Sequence, residues 1–159
     1  MSHQTQIDKE IANICLEKDV LLNLYNLMRW DSPNIKLKEQ VSWLVGNICA
    51  VNDEKLSRQI IGTGVIDVFW PYLRQKISFD LTERILLIFG NLIYKDTELK
   101  SHFISNGYFR EILQIPENEC YVLHNNWPQL TETFLFFLSN FIDSDLVNIG
   151  ITFKDCLPL

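Results

Sequence analysis

The chain has 159 residues, 47% of them hydrophobic and 21% charged, a composition too apolar for a disordered chain. Its length buries roughly 68–70% of the surface exposed on unfolding, so a core forms without disulfides or metals. With 14 Lys+Arg against 20 Asp+Glu, the formal charge is −6, which argues against a phosphate-binding footprint and therefore against direct nucleic-acid binding.

Four cysteines, Cys15, Cys49, Cys120 and Cys156, lie far apart with no CxxC pair. That spacing offers neither a zinc signature nor a disulfide framework, and a reducing compartment is expected. The first residues, MSHQTQIDKEIANICLEKD, put acids where a secretory signal needs an apolar run. The apolar segment FLFFLSNFI at 134–142 is far short of the roughly 20 residues that span a bilayer. An intracellular protein, cytoplasmic or nuclear and without membrane insertion, is expected.

Along the chain, Ile7, Ile11, Ile14 and Cys15 recur at helical spacing, followed by an apolar run from Leu21 to Met28. Asp31, Ser32 and Pro33 interrupt the pattern, and the spacing predicts a longer helix over about 37–49. A short helix is predicted over 54–61, ended by Gly62-Thr63-Gly64, where glycine accepts left-handed dihedrals. Another follows over 65–74, with Pro71 predicting a kink or break inside it. Asp80, with Glu83 three residues on, predicts the cap of a long helix through about 94. Helices over 97–104, 108–113 and 128–142 complete the reading. The tail after Asp143, containing LVNIGITF, allows either a capping helix or an extended segment.

These elements repeat. SWLVGNICA, LLIFGNLIY and LFFLSNFID place Asn47, Asn91 and Asn140 44 and 49 residues apart. QIIGTGVIDVFWPYL and HFISNGYFREIL align Gly64 over Gly107, 43 residues on, and NICLEKDVLLNLYNLM falls at that phase near Asp19. A period of about 40–47 residues built only of helical patterns predicts a helical solenoid. The third unit is about six residues longer between its second and third helices, which predicts a surface loop there.

These phrases resemble armadillo repeats, most closely those of the importin-alpha and catenin-type families, over about residues 6–142. The resemblance implies an all-α, right-handed armadillo-like solenoid of about three repeats, at about 6–51, 52–95 and 96–142, with a capping tail at 143–159, all in one domain. In importin-alpha proteins a tryptophan four residues before an asparagine on the third helix lines a concave groove that holds extended basic peptides. Here Trp43 and Asn47 match that pair, while Leu87 and Phe136 stand before Asn91 and Asn140.

Residues four apart share a helix face, so Glu39, Glu83 and Glu132, each eight residues before its asparagine, lie one further turn back. Asparagine offers donors and an acceptor to an extended backbone, carboxylates receive Lys or Arg, and Trp43 can hold a cation. Equally, the asparagines can satisfy backbone groups of a neighbouring repeat, the glutamates can serve helix dipoles, and Trp43 can belong to the core.

Phe134 to Leu138 are five consecutive apolar residues, more than one helix face buries. With Trp127 upstream, Phe134, Phe136 and Phe137 form either a partner interface or internal packing. The run VFWPYL at 68–73 reads as core. No nucleotide-binding loop, metal motif or cofactor signature is present; His3, His102 and His124 are isolated. The expected role is a non-enzymatic protein–protein scaffold, a small subunit of a larger assembly. The alternative is an adaptor that binds basic linear peptides in an importin-like groove.

Overall fold

A computed structural model of the chain describes residues 3–31, 33–51, 53–94, 96–115 and 127–142, with side chains from Lys9 onward. The expected loop of the third unit and the tail at 143–159 lie outside the described residues. Among the described residues the fold is all-α, with nine helices and no strand. They are α1 (His3–Glu17), α2 (Val20–Arg29), α3 (Ile35–Cys49), α4 (Glu54–Gly62), α5 (Val65–Gln75), α6 (Phe79–Ile93), α7 (Thr97–Ser105), α8 (Tyr108–Leu113) and α9 (Trp127–Phe141).

Short polar side chains start the helices by satisfying first-turn N–H groups. Asn34 Oδ1 accepts from the Leu37 amide at 3.1 Å, Asp53 Oδ1 from Leu56 at 3.0 Å, and Asp96 Oδ1 from Leu99 at 2.9 Å. Ser78, not Asp80, caps α6: its Oγ accepts from Leu81 N at 3.3 Å. Asp80 therefore sits inside the first turn, and Glu83 is left free of any capping box. Ser78 is the last residue in the extended region before helical dihedrals begin, which places its side chain, and not that of Asp80, over the first-turn amides.

Between the first and second helix of each unit the chain turns through a left-handed residue. Gly64 has φ 82° and Gly107 has φ 75°, and in the first unit Asp19 takes the same conformation with φ 53°. The turns thus recur even where glycine does not.

Pro71 does not break α5, which runs unbroken from Val65 to Gln75. Pro71 is exposed, and Val68, Phe69, Trp70 and Leu73 are buried on the opposite side. Burial of residues on both sides of the proline keeps the two halves in one helix against the loss of one N–H bond.

Packing follows sequence order with a skip: α1 lies against α4, α2 against α5, α3 against α6, and α6 against α9. α6 also touches α5 and α7, which makes it the most central helix. Ile85, Leu86, Ile88, Phe89, Leu92 and Ile93 of α6 are all fully buried. Trp70 stacks on Phe89 and lies 4.1 Å, centroid to centroid, from Tyr108, with Phe103 edge-on. Further along, Phe109 stacks on Phe141 at 3.9 Å.

Polar ties fasten the helices within and between units. The Tyr25 and Thr63 hydroxyls are 3.0 Å apart, joining α2 to the end of α4, and burial pushes the Tyr25 phenol well above its ordinary range. Lys38, buried on α3, turns its ammonium back on the end of α2. It donates to the carbonyls of Leu27 at 3.1 Å, Trp30 at 2.6 Å and Met28, supplying donors to orphan C-terminal carbonyls. Tyr72 of α5 donates its hydroxyl to the same Met28 carbonyl.

Candidate functional site

The stack of α3, α6 and α9 carries the residues singled out by the asparagine phase. Apolar positions of these helices point inward, so positions one face away are left on the surface. Trp43 is 53% exposed, beside Leu44 and the exposed Asn47. On α6 the equivalent residues are exposed Leu87 and half-buried Asn91, followed by exposed Tyr94; on α9 they are exposed Phe136 and half-buried Asn140. Three packed helices therefore present aromatic or aliphatic side chains followed one turn later by amides.

The helices approach closely under this face. A Cβ added to Gly90 would lie 2.9 Å from Phe136 Cε1 and 3.4 Å from Phe137 Cα, so the absent side chain is what lets Phe136 lean against α6. One helix earlier, a Cβ on Gly46 would meet Ile88 Cγ1 at an ordinary 3.7 Å.

The asparagines divide in their duties. Asn140 Nδ2 donates to the Gly90 carbonyl at 3.0 Å, tying α9 to α6. Among the described residues, the side chains of Asn47 and Asn91 have no hydrogen-bond partner.

The carboxylates divide too. Glu39 is buried: Ser78 Oγ donates to it at 2.6 Å and Lys36 Nζ pairs with it at 2.9 Å. Burial pushes its carboxyl up, but Ser78, Lys36 and the nearby Arg84 together hold it below the ordinary glutamate range. Arg84 also donates to the Glu39 carbonyl at 2.5 Å. Glu83 accepts a 3.3 Å bond from Thr133 on α9. Arg84 and Thr133 hold the same phase, so successive helices are clasped at the same level. Only Glu132 of the three carboxylates is exposed on the surface. Lys36 completes the local balance with Asp80 at 3.8 Å.

The Phe-rich segment splits by helical phase. Phe137 is fully buried between Phe103, Phe109 and Phe141, which removes its ring from any partner surface. Trp127 and Phe134 are half-buried against the core. Phe136 and Leu135 remain on the surface.

Leu44 and Tyr94 were not anticipated from sequence. Leu44 could have been found, because it stands three residues before Asn47, the phase of Ile88 and Phe137. It also lines a cleft of about 380 Å³ with Ile11, Ala12, Cys15, Asn47 and Ile48. Among the described residues no three His, Cys, Asp or Glu side chains gather as metal ligands, and no helix is long and apolar enough to cross a membrane. Compared with known proteins, the chain matches no family model, no curated protein and no solved structure.

Proposed function

We propose that the chain is a right-handed armadillo-like solenoid of three repeats acting as a non-enzymatic protein-interaction scaffold, a small subunit of a larger assembly. The surface formed by α3, α6 and α9 is the one that receives a partner segment. The observation that carries this reading is the alignment of exposed Trp43, Leu87 and Phe136 on three packed helices, with the amides of Asn47 and Asn91 one turn further on. An extended backbone laid across the helices meets a donor and an acceptor at each amide and an apolar surface between them. The recurrent left-handed turns at Asp19, Gly64 and Gly107 and the pairwise packing of equivalent helices support the repeat assignment.

A basic peptide on the same face is the second reading, and the exposed carboxylate of Glu132, one turn before Phe136 on α9, favours it. Glu39 and Glu83, however, already spend their carboxylates on Ser78, Lys36 and Thr133. That balance favours a partner bringing apolar side chains.

Selection from a random peptide library displayed on phage tests the reading. The intact protein is expected to enrich peptides with spaced apolar residues, and their affinity is expected to fall roughly tenfold or more with Trp43→Ala plus Leu87→Ala. Enrichment of Lys- and Arg-rich peptides supports the second reading. Peptides that bind the double variant as tightly as the parent exclude this face.

A further inference from the structure

Two clefts between helices stand at the same phase of the chain and differ in charge. One lies between α1 and α4, with Lys9, Asn13 and Asp53 in its lining. The other, of about 490 Å³, lies between α4 and α7 beside the Gly62–Gly64 turn, and Arg58 and Asp96 line it. Asn13 and Arg58 each stand six residues before a left-handed turn, at Asp19 and at Gly64. Asp53 and Asp96 each stand eleven before the next one, at Gly64 and at Gly107.

The two aspartates are built alike. Each stands in extended backbone ahead of its helix and turns Oδ1 to the third amide on, Asp53 to Leu56 at 3.0 Å and Asp96 to Leu99 at 2.9 Å. Their second oxygens differ. Asp53 Oδ2 takes the Lys9 ammonium at 2.7 Å, delivered across the cleft from α1. At the phase of Lys9, ten residues before the turn, α4 carries Glu54, which pairs with Arg58 at 3.0 Å. Among the described residues, Asp96 Oδ2 has no hydrogen-bond or ion partner. Yet Asp96 is the more buried of the two, 9% exposed against a half-buried Asp53, and a buried carboxylate gains most from a counter-charge. Asp67 and Glu98 bring two exposed carboxylates to the same cleft, against Arg58 as its one permanent cation among the described residues. Ile61, Ile66 and Leu99 give it an apolar side. Carboxylates beside an aliphatic surface suit a charge carried on an aliphatic stem.

We propose that the α4–α7 cleft receives a lysine side chain from a partner protein, its ammonium on Asp96 Oδ2 as that of Lys9 is on Asp53 Oδ2, and its stem against Ile61, Ile66 and Leu99. The first cleft supplies its own ammonium, and the second takes one from outside. The site is built from α4, α5, α7 and the cap of α7. It shares no residue with the face on α3, α6 and α9, so it stands whether or not that face binds a partner.

Amide chemical shifts of the isotope-labelled intact chain, titrated with lysine blocked at both backbone ends, test the site. Saturable shifts are expected at Gly62, Gly64, Asp67 and Asp96 to Leu99, and none with blocked norleucine, which has the stem without the charge. Asp96→Asn keeps a capping oxygen and removes the charge, and is expected to weaken binding by roughly tenfold or more. Trp43→Ala plus Leu87→Ala is expected to leave it unchanged. Glu54→Lys puts an ammonium at the phase of Lys9. It is expected to exclude the probe and to raise the thermal midpoint by about 2–4 °C more in the parent than in Asp96→Asn. Circular dichroism checks that each variant folds, and Asp67→Asn plus Glu98→Gln, both exposed, replaces Asp96→Asn should that variant unfold. A parent without saturable shifts overturns the proposal, and so does binding indifferent to Asp96→Asn. Binding that emerges only with Arg58→Gln overturns it as well, since the chain's own guanidinium then holds the carboxylate. Cadaverine binding roughly tenfold tighter than the blocked lysine overturns the protein source in favour of a free diamine.

Discussion

At the scale of single residues, the left-handed turns show chemistry and conformation partly uncoupled. Gly64 and Gly107 adopt φ above +70° without a Cβ to clash; Asp19 adopts the same turn with a side chain and no side-chain cap bond. Replacing Asp19 with Gly is expected to raise stability by about 0.5 kcal/mol, and Gly64→Ala to lower it by about 1–2 kcal/mol. Urea midpoints at unchanged m-value check both; a destabilised Asp19→Gly would mean that the aspartate supplies something other than its backbone. The glycine turns were legible because glycine is the residue such dihedrals favour. Asp19 was legible only by phase, and Lys38 not at all. A lysine inside a helical pattern reads as a solvated side chain, and nothing local says that its ammonium folds back to carbonyls eight to eleven residues earlier.

Among the helices, polar contacts decide how one unit meets the next. Ser78 serves two masters: it caps α6 by accepting from Leu81 and donates to Glu39 on α3. Glu39 thereby links a helix start to its neighbour, a role its sequence position, which suggests an exposed carboxylate, does not reveal. Glu39→Gln is expected to cost about 1 kcal/mol at neutral pH. Because the folded carboxyl titrates below its ordinary range, the ionised form stabilises the fold above about pH 4–4.5. That stabilisation is lost as pH falls through the depressed value, so the gap between parent and variant should close on acidification. Thermal or urea unfolding across that window measures it, and a gap that stayed constant would exclude the ionised pairing. Pro71 teaches the complementary lesson. Its local preference is for interruption, but buried residues on both sides outweigh one missing backbone bond. Local propensity gave the helices and missed that continuity, because burial is a property of the neighbours.

For the molecule as a whole, each unit touches mainly the next, and α6 is held on more sides than any other described helix. On the proposed reading of a repeat array, stability is a sum of unit and junction terms. Native-state hydrogen exchange is therefore expected to be slowest in α5 and α6 and progressively faster toward α1, whose Ile11 and Ile14 are exposed. Uniform protection from α1 to α9 would show instead a single cooperative unit. The periodic phrases made the three packed helices and the surface amides readable, since both follow from helical phase. Which carboxylates are spent inside was not readable, because Ser78 and Thr133 reach them from 39 and 50 residues away.

The missing side chain at Gly90 gives the surface a hidden control. Phe136 leans where it does because the helix beneath has a notch one methyl deep. Contact residues are usually the places where a binding surface changes its preferences. Here a substitution underneath, at a position no ligand would touch, tilts an aromatic ring outward and reshapes the terrain. Evolution can thus reshape this surface from below, leaving the visible residues unchanged.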